Sequence, residues 1–324
     1  MKAGLPRLHR LVAPFVVVSV VLLAAGGVIR AAYPERPITY IIPFNPGGQS
    51  DVEARRQQPY LEQMLGVSVQ IQYKVGGGGS VGWSELVRSR PDGYTIAGIN
   101  LPHIILQPLQ RGDAGYRTEQ LKVVAWFQNT PIGLAVLKSS RFQSLADFID
   151  YARANPGAIT VAGSGTYTGH HLATVQLEKL AGIQVTYVPF TGAAPQLTAF
   201  LGGHVAAMMG NSDDLVQHKD RIRVLAIGSA VRFEALPDVP TFRELGFDMT
   251  PSIDRGVAVP AGTPDAVVQK LEQAFLAIVR RPEVRRQMIE QGFVPLEMGA
   301  EESQAYVERK TIEYQELLKA LGQL

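Results

Sequence analysis

After Pro37, short segments rich in β-forming residues alternate with segments of helical character along nearly the whole chain. The first series consists of residues 39–43, 52–65, 67–73, 81–90 and 94–99, strand-like and helix-like in turn. A second series begins beyond Pro131 with residues 133–137, 145–154, 159–162, 171–180 and 185–188. Strands that alternate with helices in this way form parallel βαβ units. The sequence therefore predicts an α/β fold with two groups of such units.

The chain has 324 residues and no cysteine. It can form neither a disulfide bond nor a thiolate metal site, so its hydrophobic core alone must stabilise it. A chain of about 290 residues, the length beyond the N-terminal apolar segment, buries enough surface to do so and usually divides into two parts. We therefore expect two α/β lobes.

The first 32 residues have the composition of an export signal. Three basic residues precede an apolar run over residues 11–29, and Ala31 and Ala32 offer small side chains for cleavage. The sequence predicts a signal peptide over residues 1–32, a mature chain that begins near Tyr33 and a periplasmic location. An uncleaved membrane anchor is the alternative, because the apolar run approaches the ~20 residues that span a bilayer.

The charge balance argues against a nucleic-acid partner. The predicted signal peptide contains four of the 31 basic residues and no acidic one, which leaves 27 basic against 29 acidic residues in the predicted mature chain. No dense run of Lys and Arg with interleaved aromatic residues remains to follow a phosphate backbone. We therefore expect a slightly acidic protein that does not bind nucleic acid.

A glycine-containing loop over residues 43–51 follows the predicted strand 38–42 and precedes a predicted helix. Gly47 and Gly48 allow a tight turn, and we expect their exposed N–H groups to point in the same direction as the positive end of the helix. Ser50 and a glutamate three residues later have the spacing of a capping box. The loop thus has the features of a small anion site. An ordinary strand-to-helix turn has the same composition and is the alternative.

A second loop of similar design covers residues 163–171 and follows the strand-like run 159–162. It offers three hydroxyl groups, from Ser164, Thr166 and Thr168, and Thr168 is the expected N-cap of the next helix. With one such loop in each lobe, the two loops are expected to hold the two ends of a small anion. They would do so at the carboxyl ends of the strands, where open α/β sheets bind ligands.

A third glycine loop has the spacing of a dinucleotide-binding motif, with Gly77, Gly79 and Gly82 between a strand and a helix. Such a site needs an acidic residue about 20 positions further on to hold the ribose. The sequence has no acid over residues 100–103. We therefore expect no cofactor, and a dinucleotide-dependent enzyme remains only as an alternative.

Two pairs of adjacent ionisable residues lie near the ends of predicted strands. His170 and His171 project about 100° apart on a helix and so do not share a metal ion in the usual manner. One of them is a candidate donor to a ligand carboxylate, with a packed or solvated histidine as the alternative. Asp213 and Asp214 follow the apolar run 205–209. Their simplest role is to cap the next helix, with acid–base chemistry or the binding of an amine or a metal ion as the alternatives.

Two motifs carry a resemblance to a known family, PFNPGGQSD at residues 43–51 and PDGYT at residues 91–95. Further motifs follow in order, namely NPG (155–157), GSG (163–165), HLA (171–173), VPF (188–190), LGGHV (201–205), LPDVPT (236–241) and PAGTP (260–264). Together they resemble the substrate-binding proteins of tripartite tricarboxylate transporters, the TctC or Bug family. The resemblance covers essentially the whole predicted mature chain.

The resemblance implies a periplasmic-binding-protein fold of two lobes joined by two crossovers, with a ligand cleft between the lobes. It places lobe one at residues 33–130 with 252–324 and lobe two at residues 131–251. It further implies an extracytoplasmic solute-binding protein, not an enzyme, which delivers a small organic acid to the membrane permease subunits of a transporter. We expect a monomer with no metal site. A receptor that reports ligand occupancy to a signalling partner would share the binding chemistry and is the alternative.

By the same resemblance, ligand-binding residues lie in the two loops. They are Phe44, Asn45, Gly47, Gly48, Ser50 and Asp51 in the first loop and Ser164, Thr166, Thr168 and His171 in the second. Asn211 after the run 205–209 and Arg255 near the predicted return between the lobes complete the expected site. Arg255 offers a charge-assisted hydrogen bond to a second carboxylate, with a hinge or surface role as the alternative. Gln49 stands where the family usually has a small residue, so we expect it to bind beside the ligand and to alter specificity.

Overall fold

The computed structural model of the chain describes Met1, Gly4 and residues 33–324. The predicted signal peptide and its alternative, a membrane anchor, concern residues 1–32 and lie outside the described residues apart from Met1 and Gly4. No helix in the described part of the chain is long and apolar enough to cross a membrane.

The described residues form ten strands and ten α-helices. The strands are β1 (Ile38–Ile42), β2 (Val69–Tyr73), β3 (Thr95–Leu101), β4 (Leu121–Leu137), β5 (Thr160–Gly163), β6 (Thr186–Pro189), β7 (Ala207–Asn211), β8 (Ile222–Ile227), β9 (Ser252–Pro260) and β10 (Val294–Met298). The helices are α1 (Gln49–Leu65), α2 (Ser80–Arg88), α3 (His103–Arg111), α4 (Leu145–Ala154), α5 (Gly169–Ala181), α6 (Ala193–Leu201), α7 (Ser212–Gln217), α8 (Asp265–Val279), α9 (Pro282–Glu290) and α10 (Ala300–Ala320).

Strand β4 is shared by two sheets. Its residues 121–131 pair antiparallel with β9, and its residues 132–137 pair antiparallel with β7 and β8. The first sheet also contains the parallel strands β2, β1 and β3 and the antiparallel strand β10, and the second contains the parallel strands β6, β5 and β7. Pro131 pairs with Ser252, so the two connections between the sheets lie side by side.

The predicted α/β fold is therefore confirmed, with one lobe built on each sheet. The lobe boundaries, residues 33–130 with 252–324 and residues 131–251, stay a prediction.

Each sheet buries its own hydrophobic core against the helices that cover it. In the first lobe, Phe127 of β4 stacks on Phe275 of α8 with ring centroids 5.8 Å apart. In the second lobe, the buried rings of Phe148 and Phe242 belong to one cluster. Strand β1 reads ITYII and is buried almost throughout, because residues from both faces of the strand enter separate core clusters. These cores hold the carboxyl ends of β1, β5 and β7, where α1, α5 and α7 begin.

Candidate ligand-binding cleft

The segments that follow β1, β3, β5 and β7 meet β9 at a small buried cavity, which we call the cleft cavity. It is lined by ten described residues: Phe44, Gly48, Gln49, Ser50, His103, Ser164, Ala193, Asn211, Ile253 and Arg255. Its volume is about 20 Å³, which is room for about one water molecule. Both sheets contribute to the lining, so the cavity lies in the cleft between the lobes.

The amide groups of the first loop are already hydrogen-bonded. The N–H of Gly47 donates to Oδ2 of Asp51 over 2.8 Å, and the N–H of Gly48 donates to the carbonyl oxygen of Asn45 over 3.3 Å. The prediction that these two N–H groups are exposed to an anion is therefore wrong for this structure. The physical reason is local, because the short Asp51 side chain reaches back over the turn that starts its own helix.

Asp51 contributes to the stability of the first loop and does not line the cleft cavity. Besides the Gly47 amide, its carboxylate accepts a hydrogen bond from the hydroxyl of Tyr73 over 2.7 Å. It also forms an ion pair with Nε of Arg55 over 2.8 Å. Asn45 does not line the cavity either, and its buried Oδ1 atom has no hydrogen-bond partner among the described residues.

Ser50 lies inside the helix and does not cap it. Helix α1 begins at Gln49, and its N-cap residue is Gly48, which has no side chain to accept a hydrogen bond. The predicted capping box is therefore wrong, because the helix begins two residues earlier than a cap at Ser50 would place it. The hydroxyl of Ser50 lines the cleft cavity and accepts a hydrogen bond from Nη1 of Arg255 over 3.4 Å.

Arg255 is buried at the centre of the site. It is 6% exposed and lies on β9, where its backbone pairs with Asn100 of β3 and Gln128 of β4. Its Nη2 atom donates to Oε1 of Gln49, and its buried Nε atom has no partner among the described residues. Burial lowers the pKa of Arg255 to about 10, while nearby carboxylates oppose the fall. The guanidinium group therefore stays positively charged at neutral pH.

Two acids of the second lobe flank this charge. Oδ1 of Asp213 accepts a hydrogen bond from Nε2 of Gln49 across the cleft. Burial raises the pKa of Asp213 to about 6, and the positive charge of Arg255 opposes the rise. Burial and the charge of Asp213 raise the pKa of Asp214 well above its usual value. The predicted cap was assigned to the wrong residue, because Asn211 is the N-cap position of α7 and the acids lie in its first turn.

His170, and not His171, lies beneath the site. Its Nε2 atom is 2.9 Å from Oδ1 of Asn211, and its Nδ1 atom accepts a hydrogen bond from the N–H of Ser164 over 3.2 Å. Burial lowers the pKa of His170 to about 4, so the ring is neutral at pH 7. The Nδ1 atom also lies 3.1 Å from Oε1 of Gln196, so the ring contacts one backbone donor and two carboxamide oxygens. His170 thus positions two lining residues, one from each of two loops.

Of the second loop, only Ser164 lines the cleft cavity. The predicted cap at Thr168 is confirmed, because its hydroxyl accepts from the N–H of His171 over 3.4 Å and donates to the carbonyl of Gly165 over 2.8 Å. The His171 ring packs against Tyr187, with ring centroids 4.8 Å apart. Thr166 turns its carbonyl oxygen toward the first lobe. The structure therefore does not bring Thr166, Thr168 or His171 to the cavity.

Comparison with known proteins places the chain in a family. The family profile described as tripartite tricarboxylate transporter family receptor, TctC, matches residues 53–323. The chain belongs to this receptor family. Protein BugT of Bordetella pertussis is 29% identical over 288 residues, which are 87% of this chain and 88% of BugT. A relative from Pseudomonas sp. (strain P51) is 32% identical over 261 residues, which are 78% of this chain and 76% of the relative.

Solved structures agree with the receptor-family assignment. The periplasmic binding protein BugD is 28% identical, with a TM-score of 0.84, and the match covers 90% of this chain and 99% of BugD. An R. palustris protein solved with adipate is 27% identical, with a TM-score of 0.85, and the match covers 90% of this chain and 98% of that protein. The predicted two-lobed periplasmic-binding-protein fold is thereby confirmed.

In this member of the receptor family, the cleft cavity includes residues that the sequence did not identify. His103 is the first residue of α3, and its buried Nδ1 atom has no partner among the described residues. Burial and the charge of Arg255 lower the pKa of His103 well below its usual value, so the ring is neutral. Ala193 and Ile253 complete the set. For His103 and Ala193, their position in the sequence was the available indication, since each starts a helix soon after a strand.

The third glycine loop contacts the second lobe. The amide nitrogen of Gln107 donates to the carbonyl oxygens of Thr166, over 2.8 Å, and Tyr167, over 3.0 Å. It also approaches the carbonyl of Gly78 at 3.4 Å. A Cβ atom at Gly78 would lie 2.8 Å from the Thr166 oxygen. The glycines thus allow the loop to pack closely against the second loop of the site. We call the contact of Gln107 with Gly78, Thr166 and Tyr167 the Gln107 latch.

A larger cavity lies on the other side of β9, where Asp254, Tyr306, Lys310 and Tyr314 are among its lining residues. Its volume is about 240 Å³. We assign the ligand site to the smaller cleft cavity, because that is where the predicted loops, the helix starts and the buried cation come together. The larger cavity lies between α5 and α10 and contains no predicted site residue.

Proposed function

We propose that this protein captures a small organic carboxylate in the cleft between its lobes and delivers it to the permease subunits of a tripartite tricarboxylate-type transporter. The observation that carries the proposal is the buried guanidinium of Arg255. Among the described residues that line the cleft cavity, it alone carries a permanent positive charge. A buried cation gains most from a charged, hydrogen-bonding partner, and the planar guanidinium matches a carboxylate in geometry.

The relatives support a carboxylate as the ligand. The family description names tricarboxylate transport, and the R. palustris relative, 27% identical, was solved with adipate. In this protein, Ser50, Ser164 and Asn211 place hydroxyl and amide groups around the same cavity as Arg255. Such groups orient a carboxylate without adding charge.

The same comparisons support a role as a carrier. The relatives of known structure include proteins named as periplasmic binding proteins or periplasmic transporters, so we propose export of this chain to the periplasm. Ligand capture would occur by closure of lobe one, residues 33–130 with 252–324, on lobe two, residues 131–251. A monomer suffices for this role, because each chain contains a complete cleft.

Binding without catalysis is the second part of the proposal. The neutral ring of His170 is hydrogen-bonded to Asn211 and to the Ser164 backbone, so it supports the cleft wall and is not placed to activate a nucleophile. The glycine loop with dinucleotide spacing lies against Thr166 and Gln107. A bound pyrophosphate would have to displace this contact, which favours a binding protein over a dinucleotide-dependent enzyme.

A thermal-shift screen tests the proposal on protein recovered from the periplasmic fraction of cells that express the full chain. The screen uses mono-, di- and tricarboxylates, with NAD and FAD as controls. A ligand that binds only the native state at 100 times its Kd stabilises it by about 2.7 kcal/mol, which raises Tm by roughly 4–5 °C for a chain of this size. A shift with at least one carboxylate is expected. A shift with NAD or FAD alone, or with nothing, would contradict carboxylate capture.

A further inference from the structure

The side chain of Gln49 lies between two charged residues, of which the proposed function uses only one. Its amide nitrogen donates to Oδ1 of Asp213, and its carbonyl oxygen accepts from Nη2 of Arg255. We propose that this carboxamide is a built-in competitor of the ligand, and that the cleft selects organic acids with a hydrogen-bond donor next to the carboxylate. The inference rests on the proposed function, because it names the class of acid that the same cleft accepts.

The cleft cavity is too small to hold an organic acid. The cleft cavity has a volume of about 20 Å³, and Gln49 is only 3% exposed within it. Even a small organic acid has several times the volume of the one water molecule that fits there. A ligand therefore enters only if a lining group leaves or the lobes open.

Gln49 is the lining residue whose side chain can move with the least disturbance. The Phe44 ring packs edge-on against Trp83, with centroids 6.3 Å apart, and belongs to a core cluster. The Asn211 side chain is hydrogen-bonded to His170, and Asn211 is the N-cap residue of α7. Gln49 makes no side-chain hydrogen bond within its own lobe other than the one with Arg255. Rotation of its side chain therefore frees the space between the two charges with the least disturbance of the packing.

Rotation of Gln49 breaks its hydrogen bonds with two charged side chains. Once the carboxamide is gone, Nη2 of Arg255 lacks an acceptor and Oδ1 of Asp213 lacks its side-chain donor, and both residues are buried. Buried charged groups without partners are strongly unfavourable. A carboxylate without a neighbouring donor supplies only an acceptor for Arg255. An acid with a hydroxyl or ammonium group on the neighbouring carbon also supplies a donor for Asp213. It then makes both hydrogen bonds that the Gln49 carboxamide makes in the present structure.

Succinate, malate and aspartate test this inference, because they share one carbon skeleton and differ in the group on the second carbon. Isothermal titration calorimetry measures their Kd values for the full chain, for Gln49→Ala and for Asp213→Ala. Gln63→Ala is the matched control, since Gln63 is exposed on the same helix. Each variant is first checked for a cooperative thermal transition.

We expect the unchanged protein to bind malate or aspartate at least about tenfold more tightly than succinate, the effect of one well-placed hydrogen bond. Gln49→Ala is expected to bind all three acids about tenfold more tightly, and Gln63→Ala to leave the three Kd values unchanged. Asp213→Ala is expected to lose the preference over succinate.

Equal Kd values for the three acids in the unchanged protein would overturn the selectivity. Weaker binding by Gln49→Ala would overturn the competitor role, since Gln49 would then be a ligand contact. If other carboxylates stabilise the protein but neither it nor Gln49→Ala binds these three, the inference fails while the proposed function stands. If no carboxylate binds either protein, both fail. If Gln49→Ala binds these acids and the unchanged protein does not, the result would support the role of Gln49 as a competitor.

Discussion

Asp254 and Arg255 are neighbours on β9 that project to opposite faces of the strand. Arg255 lines the cleft cavity, and Asp254 lines the larger cavity behind it. Burial raises the pKa of Asp254, and hydrogen bonds from Nδ2 of Asn129, at 2.6 Å, and the hydroxyl of Tyr306, at 2.5 Å, oppose the rise. One strand at the junction of the lobes thus places a basic and an acidic side chain on its two sides.

We expect Arg255→Gln to weaken carboxylate binding by about 100-fold. The substitution removes a charge-assisted hydrogen bond, a contribution of roughly 1.5–3 kcal/mol. Calorimetry with the acid that gives the largest thermal shift measures the loss. Arg286→Gln is the control, because the Arg286 side chain is 75% exposed and far along the chain from the site. Unchanged affinity of Arg255→Gln would show that the ligand does not use this cation.

Tyr306→Phe is expected to destabilise the fold by about 1–3 kcal/mol. The substitution removes the hydroxyl that donates to the buried Asp254 carboxylate, and a buried acceptor without its donor has this cost. Urea denaturation measures the free energy of unfolding. Tyr314→Phe is the matched control in the same cavity, because no hydrogen bond from the Tyr314 hydroxyl is present among the described residues. Equal losses in the two variants would argue against the Tyr306 hydrogen bond as the cause.

The stability of the protein relative to Asp213→Asn is expected to depend on pH. The folded-state pKa of Asp213 is raised from 3.8 to about 6, so its folded form binds a proton more tightly than the unfolded chain does. Its stabilising contribution is therefore fully present below pH 3.8 and is lost as the pH rises through about 6.

Denaturant titrations of both proteins between pH 4 and pH 7 measure this effect. The difference in unfolding free energy is expected to change by about 3 kcal/mol, in favour of the unchanged protein at low pH. A constant difference over this range would show that Asp213 keeps its ordinary pKa.

Gly78→Ala is expected to weaken ligand binding about tenfold by disturbing the Gln107 latch. The added Cβ atom meets the Thr166 carbonyl and the Gln107 amide, so the two lobes can no longer approach as closely. Gly66→Ala is the matched control, because Gly66 also has a positive φ, +72°, but open space around its Cβ position. Both variants lose about 1–2 kcal/mol of stability from backbone strain. If both keep the original Kd, closure does not depend on this contact.

Local features of the fold were predictable from the sequence. The predicted helix over residues 145–154 coincides with α4, and the predicted strand over residues 38–42 coincides with β1. The cap at Thr168 was also correct. Hydrophobic periodicity and capping hydroxyls act between residues a few positions apart, so the sequence carries these signals directly. The family motifs extended this local information to the arrangement of two lobes.

The composition of the cleft depends on the tertiary structure. Gln49 contacts Asp213, 164 residues away, and Arg255, 206 residues away, and no periodic pattern links such positions. The free amides predicted at Gly47 and Gly48 are occupied because Asp51 and the turn itself provide closer acceptors. The sequence by itself determined which loops border the cleft. Only the packing of the two lobes decided which side chains enter it, because that choice depends on contacts between segments far apart in the chain.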